Sequence, residues 1–234
     1  SAFSSGDEVL VYQVQNGTGI GTAGNYEFGI VESVVGNDII LRANLSETYG
    51  SGLFDVSGAS VTQVIRVPQF SDVSIDSGAS ITAPAWDGYV GGVVVFRASG
   101  TVTTSGYVNV SHKGYRGGDC NGCGNSDWGD QGEGYLGTGG GLLASNTCGG
   151  GGGYGPSGYI GEPGAGGGHA TAGGGGVSAY TSIGGGIVGD DDVRRVFFGG
   201  GAGGGGDNDN NVPFPEYSDG GGVVMIFAGE IVDA

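Results

Sequence analysis

Residues 148–176 read CGGGGGYGPSGYIGEPGAGGGHATAGGGG, and the fold turns on whether this stretch is a tether or packed structure. A tether is monotonous and polar. Here Tyr154, Tyr159 and Ile160 interrupt the glycines, and similar sequence continues to Gly206. Only 16 of the 59 glycines lie in residues 1–112, so the chain has two halves of different character. Glycine loses more backbone freedom on folding than any other residue, and fixing each residue costs about 1–2 kcal/mol. An ordered glycine half therefore needs a dense source of compensating bonds. Collagen is excluded, because there is no strict G-X-Y period and the chain has only 6 prolines. A flexible linker stays open, and the ordered alternative to it is the polyglycine II conformation, with three residues per turn and no internal hydrogen bonds. Without side chains such helices pack closely enough for each N–H to reach a neighbouring carbonyl.

A bundle of this kind needs several runs, and the chain has them at 137–141, 149–153, 164–168, 173–176, 184–186 and 199–206. Pro156, Pro163 and the DNDNN stretch at 207–211 punctuate them. Leu142, Leu143, Ile187, Val188, Phe197 and Phe198 are placed to close the bundle or to pack it on the rest of the chain.

The first half reads as strands. DEVLVYQVQ (7–15), YEFGIVESVVGNDIILRANL (26–45) and VTQVIRVPQF (61–70) are rich in Val, Ile, Tyr and Phe and are broken by Gly, Asn and Asp turn signals. No sustained 3.6-residue apolar period appears, so no helix is expected. Residues 1–69 are expected to form a small β-barrel or sandwich of four or five strands. Beyond them the strands become short and solenoid-like. GGVVVFRASGTVTT (91–104) is echoed by GGVVMIFAGEIVDA (221–234), so two similar strands bracket the glycine-rich insert. The expected fold is all-β: domain 1–69, then 70–234, in which β-solenoid-like strands enclose a polyglycine II region at about 114–222.

The glycine runs with aromatic and Asp/Asn punctuation resemble the polyglycine II domains of phage tail-fibre adhesins and the extracellular glycine-rich region of anaplastic lymphoma kinase. The order GDEVLVYQVQ, TAPAWDGYVGGVVVFRASGTV, HKGYRGG and then long glycine runs is similar to glycine-rich modules of large secreted bacterial and archaeal surface proteins. The resemblance covers most of the chain. It implies a folded extracellular structural or adhesive module and carries no catalytic residue with it.

Composition points the same way. With 7 Lys+Arg against 24 Asp+Glu the formal charge is -17, which repels nucleic acid and acidic lipid and favours cationic partners. No run of 18 apolar residues exists and no membrane span is expected. Nor does a signal sequence open the chain, which is expected to be a mature secreted or cell-surface form. Lys113 is the sole lysine, and Asn16, Asn44 and Asn109 head N-x-[ST] sequons, the glycosylation candidates.

Local motifs add little chemistry. GTGIGTAG (17–24) has dinucleotide-loop spacing, but the sequence after it reads as a strand and not a helix, so a hairpin loop is expected. Cys120, Cys123 and Cys148 are disulfide candidates; Cys123 with Cys148 would staple the first glycine run, and a zinc site with His112 is the weaker alternative. Asp190, Asp191, Asp192, Asp207 and Asp209 are oxygen-rich enough for Ca²⁺, although they lack the EF-hand pattern and solvated turns explain them too. His112 and His169 sit in no nucleophile context, and no enzyme activity is expected. Trp86, Trp128, Tyr135, Tyr154 and Tyr159 are read as exposed aromatics that cover polyglycine faces or stack on sugars. Val223, Val224, Met225, Ile226 and Phe227 form an apolar strand suited to self-association. The expected function is therefore a filament or matrix subunit, a homo-oligomer or polymer. A receptor- or glycan-binding adhesin is the alternative, and a polysaccharide-processing enzyme a more distant one.

Overall fold

The computed structural model describes residues 3–16, 22–50, 60–119, 129–141, 143–154, 163–176, 181–189, 192–206 and 218–234. Its regular elements are all strands, and no helix occurs among the described residues. β1 (Glu8–Asn16), β2 (Tyr26–Val35), β3 (Asp38–Leu41) and β4 (Ser60–Arg66) form a curled antiparallel sheet in the order β3-β2-β1-β4. Where a small β-barrel or sandwich is expected, the sheet is a half-barrel: β3 and β4 lie at opposite edges and do not pair with each other. β1 is the central strand and is buried on both faces. Leu10, Tyr12 and Val14 enter the main core, whereas Gln13 and Gln15 bury polar amides from the alternate positions.

The next strands pair in parallel. β5 (Gln69–Phe70) and β6 (Val73–Ile75) lie along β8 (Val93–Thr104), and β7 (Ser80–Ile81) lies along β9 (Tyr107–Val108). On the other edge of β8 lies β10 (Val223–Asp233), also parallel. Its register puts Val223 beside Val93 and Val224 beside Val94, the same alignment that the echoed GGVV sequences give. Equivalent residues thus face the same way as far as Ala98 beside Ala228, after which the register shifts by one. Val95, Val223 and the half-buried Val93 and Met225 turn to the core shared with the half-barrel. Val94, Phe96, Ala98 and Val102 turn to a second cluster with Ala83. The main cluster draws on both sides of the boundary expected at residue 70, joining Leu10, Tyr12 and Val61 to Trp86, Tyr115, Cys148 and Phe198.

The described segments between β9 and β10 are neither helix nor ladder, yet their backbones are bonded laterally. Across 199–204 the donors take three directions in turn. Gly199 and Ala202 donate to Gly221 and Ser218, Gly200 and Gly203 to Gly168 and Ala165, and Gly201 and Gly204 to Glu133 and Asp130, at 2.8–3.1 Å. Segment 129–133 repeats the pattern: Gly129 and Gly132 donate to Gly153 and Gly150, Asp130 and Glu133 to Asp119 and Arg116, and Gln131 to Gly140. At many positions such an array leaves no room for a side chain. A Cβ on Gly201 would lie on the carbonyl oxygen of Arg116, and one on Gly203 on that of Gly151.

Gly201→Ala is therefore expected to lower unfolding stability by about 2–3 kcal/mol or more, because the atom it meets is backbone and cannot swing aside. At Gly140 nothing lies within 4 Å of the same added atom, so Gly140→Ala should stay within about 0.5 kcal/mol of the parent. Urea unfolding of the two variants measures the difference.

Candidate functional site

Among the ties between the glycine array and the strands, two are made by buried side chains that reach several segments at once. One is Phe198, fully buried beside Gly199, whose ring meets Tyr12, Trp86 and Tyr115 edge-on at 5.8, 5.6 and 5.3 Å. Gly92, at φ 77°, leaves space for it: a Cβ there would lie 2.5 Å from the Phe198 ring. The phenols around the ring are also engaged, Tyr12 donating to the Val196 carbonyl at 3.0 Å and Tyr115 to that of Val14 at 2.6 Å. Burial raises the pKa of both phenols and of the Cys148 thiol, so all three are neutral near pH 7.

The other point is Glu133, 3% exposed. Its carboxylate accepts from Gln15 Nε2 at 2.6 Å, Trp86 Nε1 at 3.1 Å, the Arg116 backbone N–H at 2.9 Å and the Arg116 guanidinium at 3.1 and 3.2 Å. One buried anion thereby joins β1, the loop before β8 and two glycine segments. A buried carboxylate is tolerated only when paired and fully bonded, as this one is. Neighbouring glutamines act as surrogate peptide groups. Gln131 donates to the Ala144 carbonyl and accepts from the Gly140 N–H, and Gln63 makes the same exchange with Gly91.

A third junction, on the surface, clamps the half-barrel to the parallel sheet. Arg97 grips Glu8 through Nε and a terminal nitrogen, and its guanidinium lies 4.8 Å from the Phe28 ring centre and 4.4 Å from that of Phe227. Elsewhere two adjoining hollows share Ile187, Val188, Gly189, Arg195 and Phe197. Tyr135 packs on Phe197 with centroids 5.6 Å apart, and Arg195 lies over the same ring. His169 Nε2 sits 3.2 Å from the Phe197 carbonyl.

The expected site residues are scattered. Cys148 is an unpaired thiol in the main core, and Cys120 and Cys123 lie outside the described residues. Asn44 and Asn109 are exposed; Asn16 is half-buried at the end of β1, where its Oδ1 accepts from Ser60. Of the acidic candidates only Asp192 is described, exposed and paired with Arg194 at 2.6 Å; Asp190, Asp191, Asp207 and Asp209 lie outside. The GTGIGTAG reading falls largely there too. His112 is exposed in a turn at φ 56°, and no cluster of three metal-ligating side chains occurs among the described residues. Trp86 is corrected: it is 2% exposed and bonded to Glu133, not a surface platform. Trp128 and Tyr159 are outside the described residues, and Tyr135 and Tyr154 are half-buried.

Val223 is buried in the core, while Val224 and Phe227 are 40% and 38% exposed. The Glu133 junction was not legible beforehand. Its members come from distant parts of the chain, and the only hint was a lone carboxylate in a glycine context, QGEGY. Comparison with protein-family models, with curated proteins and with solved structures returns no match.

Glu133→Ala should cost about 3 kcal/mol or more, since it strands the Arg116 charge, the Trp86 indole and the Gln15 amide together; chemical unfolding tests this. A separate effect belongs to Glu27. Partial desolvation pushes its carboxyl up, but hydrogen bonds from Ser46 Oγ and N, Glu47 N and Tyr49 outweigh it and leave the pKa below the ordinary 4.5. Its stabilisation is complete above 4.5 and is lost as pH falls through the lower folded value. Over that interval the unfolding midpoint of Glu27→Gln is expected to vary less with pH than that of the parent.

Proposed function

We propose that the chain is an extracellular structural module, a building block of a cell-surface filament or matrix, whose glycine half is a bundle of polyglycine II helices. The observation that carries this reading is the three-direction donor pattern of segments 129–133 and 199–204. A helix with three residues per turn and no internal bonds points successive N–H groups to three neighbours in rotation. The glycines of 149–153 and 199–204 also avoid positive φ, as left-handed polyproline II geometry requires. The same reading makes β5 to β10 a short β-solenoid: parallel pairing recurs between segments about 28 residues apart, and β10 adds a further coil after the insert.

Stiffness is the function this arrangement supports. Every inner segment is held on several sides, and both ends of the insert are fixed by the paired β8 and β10. The strong negative charge keeps such a surface soluble while the backbone bears load.

A second reading, a glycan-binding adhesin, draws on the hollows around Phe197, where Tyr135 and Arg195 flank an aromatic ring. Aromatic faces with adjacent polar groups suit sugar rings. A glycan array with the monomeric protein separates the two, since specific sugar binding favours the adhesin.

Amide hydrogen exchange on the native protein tests the structural reading. The N–H groups of Gly150, Gly153 and residues 199–204 are expected to exchange as slowly as those of β1, within about tenfold. Complete exchange there within seconds, with β1 still protected, would falsify it.

A further inference from the structure

The pairings of β8 align three stretches of chain in columns. Gln69 lies beside Arg97 and Arg97 beside Phe227; Phe70 beside Ala98 and Ala98 beside Ala228; Val73 beside Val102 and Val102 beside Ile231. Residues in one column stand on one face of the sheet. The last column is an apolar ladder of Val, Val and Ile. Its middle member is 2% exposed and Val73 is half-buried, but Ile231 at the β10 end is 60% exposed. In the second column Phe70 is 47% exposed at one end, and the small Ala228 stands at the other. Among the described residues β10 pairs only with β8, and β5 and β6 pair only with β8. Among the described residues both outer edges of this sheet therefore lack a strand partner, and such an edge is the usual template for adding another chain.

We propose that copies of this chain stack head to tail, the outer edge of β10 in one copy receiving β5 and β6 of the next in parallel and in the register that β8 already uses. This rests on the reading of the chain as a structural building block and names its partner as a second copy. The columns select that occupant. Continuing them sets Val73 of the next copy beside Ile231, extending the ladder, and sets its Phe70 beside Ala228, a large ring next to a small residue. Two different surfaces meet, so each added copy leaves a fresh edge and the contact does not close on itself. Antiparallel pairing of two β10 strands would stop at two copies and would match neither column. A charge of -17 on each copy opposes the approach, and added salt screens it.

The test uses two single variants at exposed positions, Phe70→Glu on the receiving edge and Ile231→Lys on β10, with Ser74→Glu as a second variant of the first edge. Circular dichroism and melting temperature establish that each keeps the parent fold. In sedimentation velocity at low and high salt, the parent is expected to form a concentration-dependent series beyond the dimer, longer at high salt. Each variant alone should remain monomeric. An equimolar mixture of Phe70→Glu and Ile231→Lys retains one intact edge of each kind, so it should double in mass and grow no further. Dimers of Phe70→Glu alone, or unchanged series in all variants, would overturn the head-to-tail contact. A parent that stays monomeric at every concentration and salt would overturn it as well, while slow exchange in the glycine segments would still stand for the stiff module.

Discussion

The constraint on which the structure depends is the parallel pairing of β8 with β10. These strands are separated in sequence by the whole glycine half, yet they align from Val93 beside Val223 to Thr104 beside Asp233. Bringing distant strands together costs loop-closure entropy that grows only slowly with length. The pairing, with its shared apolar face, fixes both ends of the insert at once. The residues just before β10 are also bonded to the chain that follows β9, since Gly222 donates to Val110 and Gly220 to Tyr115. Strand ladder and lateral array are thus continuous, and Phe198 seats one on the other through three aromatic edges.

Within the glycine half the usual division of labour is reversed. In most domains side chains supply packing and the backbone satisfies itself within helices or ladders. Here the backbone supplies both. The carbonyl oxygens that accept hydrogen bonds also fill the space a Cβ would occupy, as at Gly200 against Cys148 and Gly203 against Gly151. The side chains that do enter the array substitute for what glycine cannot supply. Glu133 and Gln131 do so by reproducing peptide-like bonds, and Phe198 by supplying the apolar surface that glycine lacks.

Much of this was legible in the sequence where the signal was local or repeated. The Val-rich alternation around 7–15 and 26–35 marks β1 and β2, and the echo of GGVVVF in GGVVMI marks β8 and β10 as two matching strands of one sheet. What stayed hidden was long-range. Nothing around Trp86 announces that a buried carboxylate from residue 133 will meet its indole, and an isolated Trp between Ala85 and Asp87 reads equally well as a surface ring. Cys148 was open to a pairing role by its spacing, but its place in the aromatic core follows from Tyr12 and Tyr115, strands away. The half-barrel stays open because its missing wall is supplied by Val95, Val223 and Phe198, and a strand pattern read one segment at a time does not reveal that.

The lateral array also bears on how the molecule meets heat and cold. Exposing apolar surface raises the heat capacity of an unfolding chain, whereas exposing peptide groups lowers it. Residues 199–204 bury amides and carbonyls with almost no hydrocarbon, so this stretch contributes far less to the heat-capacity increment than a core of equal length. A smaller increment flattens the curve of free energy against temperature. The laterally bonded glycine stretches are thus suited to hold their shape across a wide thermal range, a property that an aliphatic interior of the same size would not confer.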